Sequence, residues 1–245
     1  MFKWLDEPYV LEVLVVIGVA TLAILFEGPF KLEEMGTFLT IVGFVYGVLA
    51  AFTMTHAWNR FVNIRAHNSQ EASALINLVF LSNSFKENKL KNDIKKKVKD
   101  YCDFMLRSKW GEVKGRIGEA DKKLLGIVST VKRIKVSEKE DAIIDKYMDQ
   151  LITISNNKSN QMVLTANRVT KEHWILLGFL SLVTSLGLFL ANDPSSWLSV
   201  FTTAAGVSVI TLIIIAIYDM DNLSFGTEAV TVAPYRRVLN VIEKF

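Results

Sequence analysis

The side chains best suited to chemistry are few and scattered. His56, His67 and His173 are the only histidines and share no spacing that a zinc site uses, and the single Cys102 has no neighbouring cysteine. Neither a glycine-rich phosphate loop nor a nucleophile elbow occurs. Most polar residues fall in one basic helical segment that lacks a clustered acid–base set. The chain therefore reads as a non-enzyme with no cofactor, and no metal is assigned to it.

What remains is a set of charged residues at the edges of apolar stretches. Glu12 lies about one turn inside the first apolar block, where a carboxylate is costly; it is on an ion's path, or it snorkels to the interface. Asp219 and Asp221 directly follow the last block and either cap backbone groups or sit at an ion's exit. Arg60, Ile64, His67 and Glu71 share one side of an extended helix, with His67 and Glu71 an i, i+4 pair. Glu71 is a buried anchor bonded to a neighbouring helix, or one member of a ring of charge at a pore mouth.

The elements that must position these residues are helices. Four blocks, Tyr9 to Phe26, Thr37 to Trp58, His173 to Leu190 and Trp197 to Tyr218, are each apolar and long enough to span a bilayer. Asp6, Glu7 and Glu12 occupy the place of a basic leader, so the first block is not a cleaved signal peptide. Pro8, Pro29, Pro194 and Pro234 all lie at or beyond block ends, where a missing N–H costs least. From Gly47 to Gly111 there is no intervening Gly or Pro, so the helix that starts in the second block continues to about Phe80. At 1.5 Å per residue it would span about 66 Å, roughly twice a hydrocarbon core.

The segment from Asn59 to Glu172 holds 23 Lys and Arg against 14 acids, a net of +9. It carries apolar residues at helical spacing, as in Val98, Tyr101, Cys102, Met105 and Leu106. Its most basic stretch, KENKLKNDIKKKVKD, reads first as a solvated helix face, and no nucleic-acid partner is assigned. Gly111, Gly115 and Gly118 mark an expected break, and NNKSN at Asn156 to Asn160 is a turn or a polar face. The basic excess places this segment and both termini on the cytoplasmic side of the plasma membrane. A lone cysteine fits that reducing compartment. The expected fold is an all-α membrane protein of four spans, divided as 1–58, 59–172, 173–218 and 219–245.

The second span also carries small residues four apart, Gly43, Gly47, Ala51 and Thr55, followed by Asn59, with the bulky Phe44, Val48 and Phe52 beside them. Small residues at that spacing allow close helix packing. In a symmetric oligomer the same stripe, or the aromatic row next to it, lines an axial pore with an apolar gate.

WNRFVNIRAHNSQEASALINLVF, from Trp58 to Phe80, resembles the first signature block of the bestrophin-like family. The matching positions are Trp58 and Arg60 for its Trp-x-Arg, and Glu71, Ala72 and Leu75 for its Glu-Ala-x-x-Leu. The order of two spans, a helical domain, two spans and a tail is also similar. DMDNLSFG resembles the family's tail block with Asp221 in the place of its Asp, although Leu223 and Ser224 stand where Pro-Phe is usual. Lys109 precedes Trp110 where the family usually has an acid. The resemblance implies an oligomeric ion channel, a tetramer or pentamer in a lipid bilayer, with the second span lining the pore. Bestrophins are mostly associated with anions. Here Glu27, Glu33, Glu34, Glu12, Asp219 and Asp221 favour a permeating cation, calcium first. The alternatives are an anion channel and a membrane-anchored interaction or signalling module without flux.

Overall fold

A computed structural model describes residues 8–30, 32–107, 110–131, 141–223 and 232–244. Among these there are helices and no strand: α1 (Pro8–Leu25), α2 (Leu32–Ser82), α3 (Asn88–Arg107), α4 (Trp110–Val131), α5 (Asp141–Ala166), α6 (Lys171–Leu190), α7 (Trp197–Asn222) and α8 (Val232–Lys244). The chain forms two compact units, one from Met1–Trp58 with Val169–Asp221, the other from Asn59–Arg168 with Asn222–Phe245. The long helix is continuous for 51 residues, as the absence of Gly and Pro beyond Gly47 allows.

Among the described residues three helices, Met35–Ser82 within α2, α6 and α7, are long and apolar enough to cross a membrane. The described part of α1 adds a shorter apolar helix, Val16–Leu25. In the first unit the core is formed by Tyr46, Ala50 and Ala57 of α2 against Leu177 of α6 and Ile210, Ile217 and Met220 of α7. The helices also carry large apolar side chains outward, such as Ile175, Phe179 and Leu182 of α6. A water-soluble helix shows the reverse pattern, whereas a lipid-facing one needs it.

The second unit has an ordinary amphipathic logic. Leu75, Leu78 and Val79 of α2, Ile94, Val98 and Tyr101 of α3, Ile127 of α4, Tyr147 and Ile154 of α5, and Tyr235 and Val238 of α8 meet in one core. α3 shows why: its buried residues Leu90, Ile94, Val98, Tyr101, Cys102 and Met105 recur at helical spacing, and none of its lysines is buried.

Two local expectations change. Gly111, Gly115 and Gly118 do not break the chain; they lie inside α4, since a helical Gly costs only about 1 kcal/mol against Ala and neighbours can supply that. NNKSN is not a turn but part of α5. Directly after α7, Leu223 adopts φ 60 and buries its side chain with Phe61, Ile64 and Leu164. A proline could not take that backbone angle, so the departure from Pro at this position goes with a different way of ending the helix.

Candidate functional site

Two faces of α2 matter, one in each unit. In the first unit, α2 turns Tyr46, Ala50, Thr53 and Ala57 inward, and the Tyr46 hydroxyl donates to the Ile210 carbonyl of α7 at 3.2 Å. The opposite side is uncovered within the chain. Phe44 is 72% and Phe52 73% exposed, Val48, Gly47, Ala51 and Thr55 are exposed with them, and Gly43 is half-buried. A Cβ added at Gly43 or Gly47 would meet no atom within 4 Å, so packing within the chain does not require either glycine. The Thr55 hydroxyl is occupied by its own helix, donating to the Ala51 carbonyl at 2.8 Å. Trp58 and Asn59 are also exposed.

In the second unit, α2 is fastened to α5 by polar side chains. Arg60, buried, donates through Nε to the Leu164 carbonyl at 2.6 Å and through Nη2 to that of Thr165 at 3.2 Å. These carbonyls belong to the last turn of α5, which has no intrahelical donors of its own, so the guanidinium caps the helix. His67 Nδ1 bonds Asn157 Oδ1 at 2.8 Å, and Asn77 Nδ2 donates to Gln150 Oε1 at 3.1 Å.

Glu71 is 0% exposed. Its carboxylate accepts from the Tyr101 hydroxyl of α3 and from Gln161 Nε2 of α5, the latter at 2.6 Å. Burial, and then the Glu71 charge, push the Tyr101 and Tyr235 hydroxyls well above the ordinary tyrosine range. Burial, with help from Glu71 and Asp103, likewise pushes the Cys102 thiol up. Tyr101 and Tyr235 stack edge to face with ring centres 6.4 Å apart. Gln161 Oε1 is buried and closes no hydrogen bond among the described residues. One turn before Gln161, Lys158 is 4% exposed, and its Nζ finds the Met105 Sδ at 3.8 Å.

Arg60, His67 and Glu71 are thus brought together along one interface. Glu71 is an anchor inside the second unit. Gln161, which bonds Glu71, Asn157, which bonds His67, and the buried Lys158 do not stand out in the sequence, because NNKSN reads as a turn or a polar face. The signal was there: 154, 157, 158 and 161 repeat at helical spacing.

Asp221 is buried and caps, its Oδ1 accepting from the Val169 N–H at 3.0 Å just ahead of α6, where Thr170 is the N-cap. Asp219 is half-buried. The Glu12 side chain lies outside the described residues, as do those of Glu33 and Glu34. Polar residues of α6 and α7, including Ser181, Thr184, Thr203 and Ser208, are buried within the first unit, where short side chains permit close helix approach.

The loop that follows α1 is latched to the loop that follows α6. Asn192 donates through Nδ2 to the carbonyls of Ala23 and Phe26 at 2.7 and 2.6 Å. Gly28 N–H donates to the Asn192 carbonyl at 2.7 Å and Phe30 N–H to that of Leu190 at 3.1 Å. Phe26 and Phe189 meet edge to face.

A bestrophin-like domain matches residues 13–235. The chain belongs to the bestrophin-like family. Solved structures share the fold: a membrane protein at 12% identity and TM-score 0.70, with 96% of this chain and 99% of that one aligned. A bacterial bestrophin homologue from Klebsiella pneumoniae aligns at 14% identity and TM-score 0.69, over 96% of both chains. A second structure of such a homologue aligns at 16% identity and TM-score 0.67, again over 96% of both. No curated protein sequence matches the chain.

Proposed function

We propose that the chain is the subunit of a homo-oligomeric ion channel, a tetramer or pentamer, whose pore is lined by the uncovered face of α2. The observation that carries this reading is the contrast between its two sides. One side is closed on α6 and α7; the other presents Phe44, Val48 and Phe52 beside glycines that no contact within the chain explains. Family membership and the bestrophin fold support it.

The reading leans to cations, with calcium first, because Glu27 and Asp193 are the charged residues in the loops joining the spans among those described. The net charge of +9 on residues 59–172 favours the second reading, an anion channel. Positive charge beside spans also supports a plasma-membrane protein with that segment and both termini in the cytoplasm. Residues 1–58 and 173–218 are then the membrane parts, 59–172 the cytoplasmic domain and 219–245 its tail.

The test is flux from proteoliposomes holding the purified protein, comparing calcium, potassium and chloride with empty vesicles and with Phe52→Ala. Flux of one ion, raised by the truncation, is the expected result. A folded oligomer that passes none of the three would leave the membrane-anchored interaction module as the better account.

A further inference from the structure

Side-chain contacts inside the first unit fix the depth of its helices against one another. The rings of Trp174 and Tyr218 meet edge to face with centres 6.2 Å apart, so the start of α6 is level with the end of α7. Near the other end of α6, Thr203 Oγ1 donates to the Leu188 carbonyl at 3.3 Å. Between these two contacts the rise along either helix is about 21–23 Å, so α6 and α7 run side by side.

α6 then stops. Leu190 is its last residue, about 24 Å beyond Trp174, and irregular backbone follows. α1 ends at the same level, because Asn192 holds the Ala23 and Phe26 carbonyls and the Phe30 N–H donates to the Leu190 carbonyl. Glu27 and Asp193 are exposed in these loops, and Lys171, Glu172 and His173 are exposed just before Trp174. Between the two levels α6 carries no charge, and Ile175, Leu176, Phe179, Leu182 and Leu186 are exposed.

Exposed irregular backbone and carboxylates do not stand in hydrocarbon, where nothing solvates them. The apolar slab around this unit is therefore no thicker than about 24 Å, and any tilt of α6 reduces it. The other spans agree. The first turn of α7 reaches past the end of α6, and there Trp197 is 77% exposed beside Phe201, as suits the headgroup layer. On α2, Leu39 stands against Gly187, where an added Cβ would lie 2.7 Å from its Cδ2, and Tyr46 bonds Ile210. Counting from those contacts, the same slab takes in roughly residues 36–54 of α2 and leaves the exposed His56 just outside.

We propose that the first unit is fitted to a thin bilayer, bounded on one side by Trp174 and Tyr218 and on the other by the loops that carry Glu27 and Asp193. Its lipid partners are phospholipids with short chains. A typical hydrocarbon core is about 30 Å thick and thins with chain length, so a slab of about 24 Å corresponds to chains of about 14 to 16 carbons. In thicker bilayers the lipid must thin around the protein or the polar loops must enter hydrocarbon, and both oppose the folded state. The proposal rests on residues 1–58 and 173–218 being the membrane parts, and it holds for any permeating ion or none.

The experiment places the full chain in liposomes of monounsaturated phosphatidylcholines with chains of about 14 to 22 carbons and follows thermal unfolding in each by circular dichroism. In parallel, chain-brominated lipid tests whether the tryptophans lie at the bilayer, since bromine quenches their fluorescence only on contact. Quenching is expected, with a melting temperature that is highest at about 14 to 16 carbons and about 5 °C or more lower at about 22. Quenching with a melting temperature that peaks at about 18 carbons or longer, or that does not change with chain length, would overturn the thin-bilayer fit and leave the membrane parts as assigned. No quenching in any lipid would remove both.

Discussion

Gln161 Nε2 donates to Glu71 Oε2 at 2.6 Å, joining residues 90 apart in sequence, while Tyr101 donates to the other oxygen of the same carboxylate. A charged acceptor with two donors in a site closed to water is strongly constrained, and its removal orphans both donors. Glu71→Leu is expected to destabilise the protein by about 3 kcal/mol, and Glu71→Gln, which keeps an acceptor for Tyr101, by less than about half of that. Urea unfolding in detergent, followed by tryptophan fluorescence, measures both.

Alkaline pH acts on the same cluster. Tyr101 and Tyr235 have folded-state pKa values raised by burial and then by Glu71. A raised value means that the folded state keeps its proton when the unfolded chain releases it near pH 10. The contribution is complete below about pH 10 and is lost as pH rises further. Stability measured from pH 8 to 11 should fall above 10, and a Tyr101→Phe, Tyr235→Phe protein should show a shallower fall. An unchanged slope would place the titrating groups elsewhere.

Gly28 has no room for a side chain: an added Cβ would lie 2.2 Å from the Leu190 carbonyl oxygen. Backbone must move to admit it. Gly28→Ala is expected to cost about 2 kcal/mol or more and to lower the melting temperature, whereas Gly47→Ala, in open space, should leave the protomer's stability within about 0.5 kcal/mol.

Lys158 behaves oppositely. Its buried ammonium has a thioether for company among the described residues. Replacing such a charge by an apolar chain of similar length is often neutral or stabilising, so Lys158→Met should match or exceed the parent by about 1–2 kcal/mol in the same unfolding measurement. A loss of more than about 1 kcal/mol would show that the charge is well compensated.

The helical layout was readable because its causes are local. Apolar blocks of span length and prolines at their ends define α6 and α7, and a run without Gly or Pro carries α2 through Trp58 and on to Ser82. The glycines of α4 misled because a helix tolerates what its neighbours offset. At the site, Arg60, His67 and Glu71 stood out as polar residues on one helix face, but their partners lie 30 positions away for Tyr101 and 90 to 105 for those on α5, and follow no local rule. The contacts of Asn192 follow no local rule either, since nothing around it in the sequence reveals that its amide reaches Ala23. The exposed side of α2 was visible as a pattern of small and aromatic residues; which side faces the core depends on α7, through contacts such as Tyr46 with Ile210.

The discontinuity of the first unit also sets a timetable for biosynthesis. Met1–Trp58 cannot be completed by Val169–Asp221 until the intervening Asn59–Arg168 has been made. At ribosomal rates of about 5–20 residues per second, the end of α1 waits on the order of 10 s for Asn192 to cap Ala23 and Phe26. A nascent chain stalled inside that window holds α1 and the first part of α2 without their partners. Quality-control proteases therefore have a defined interval in which to find it.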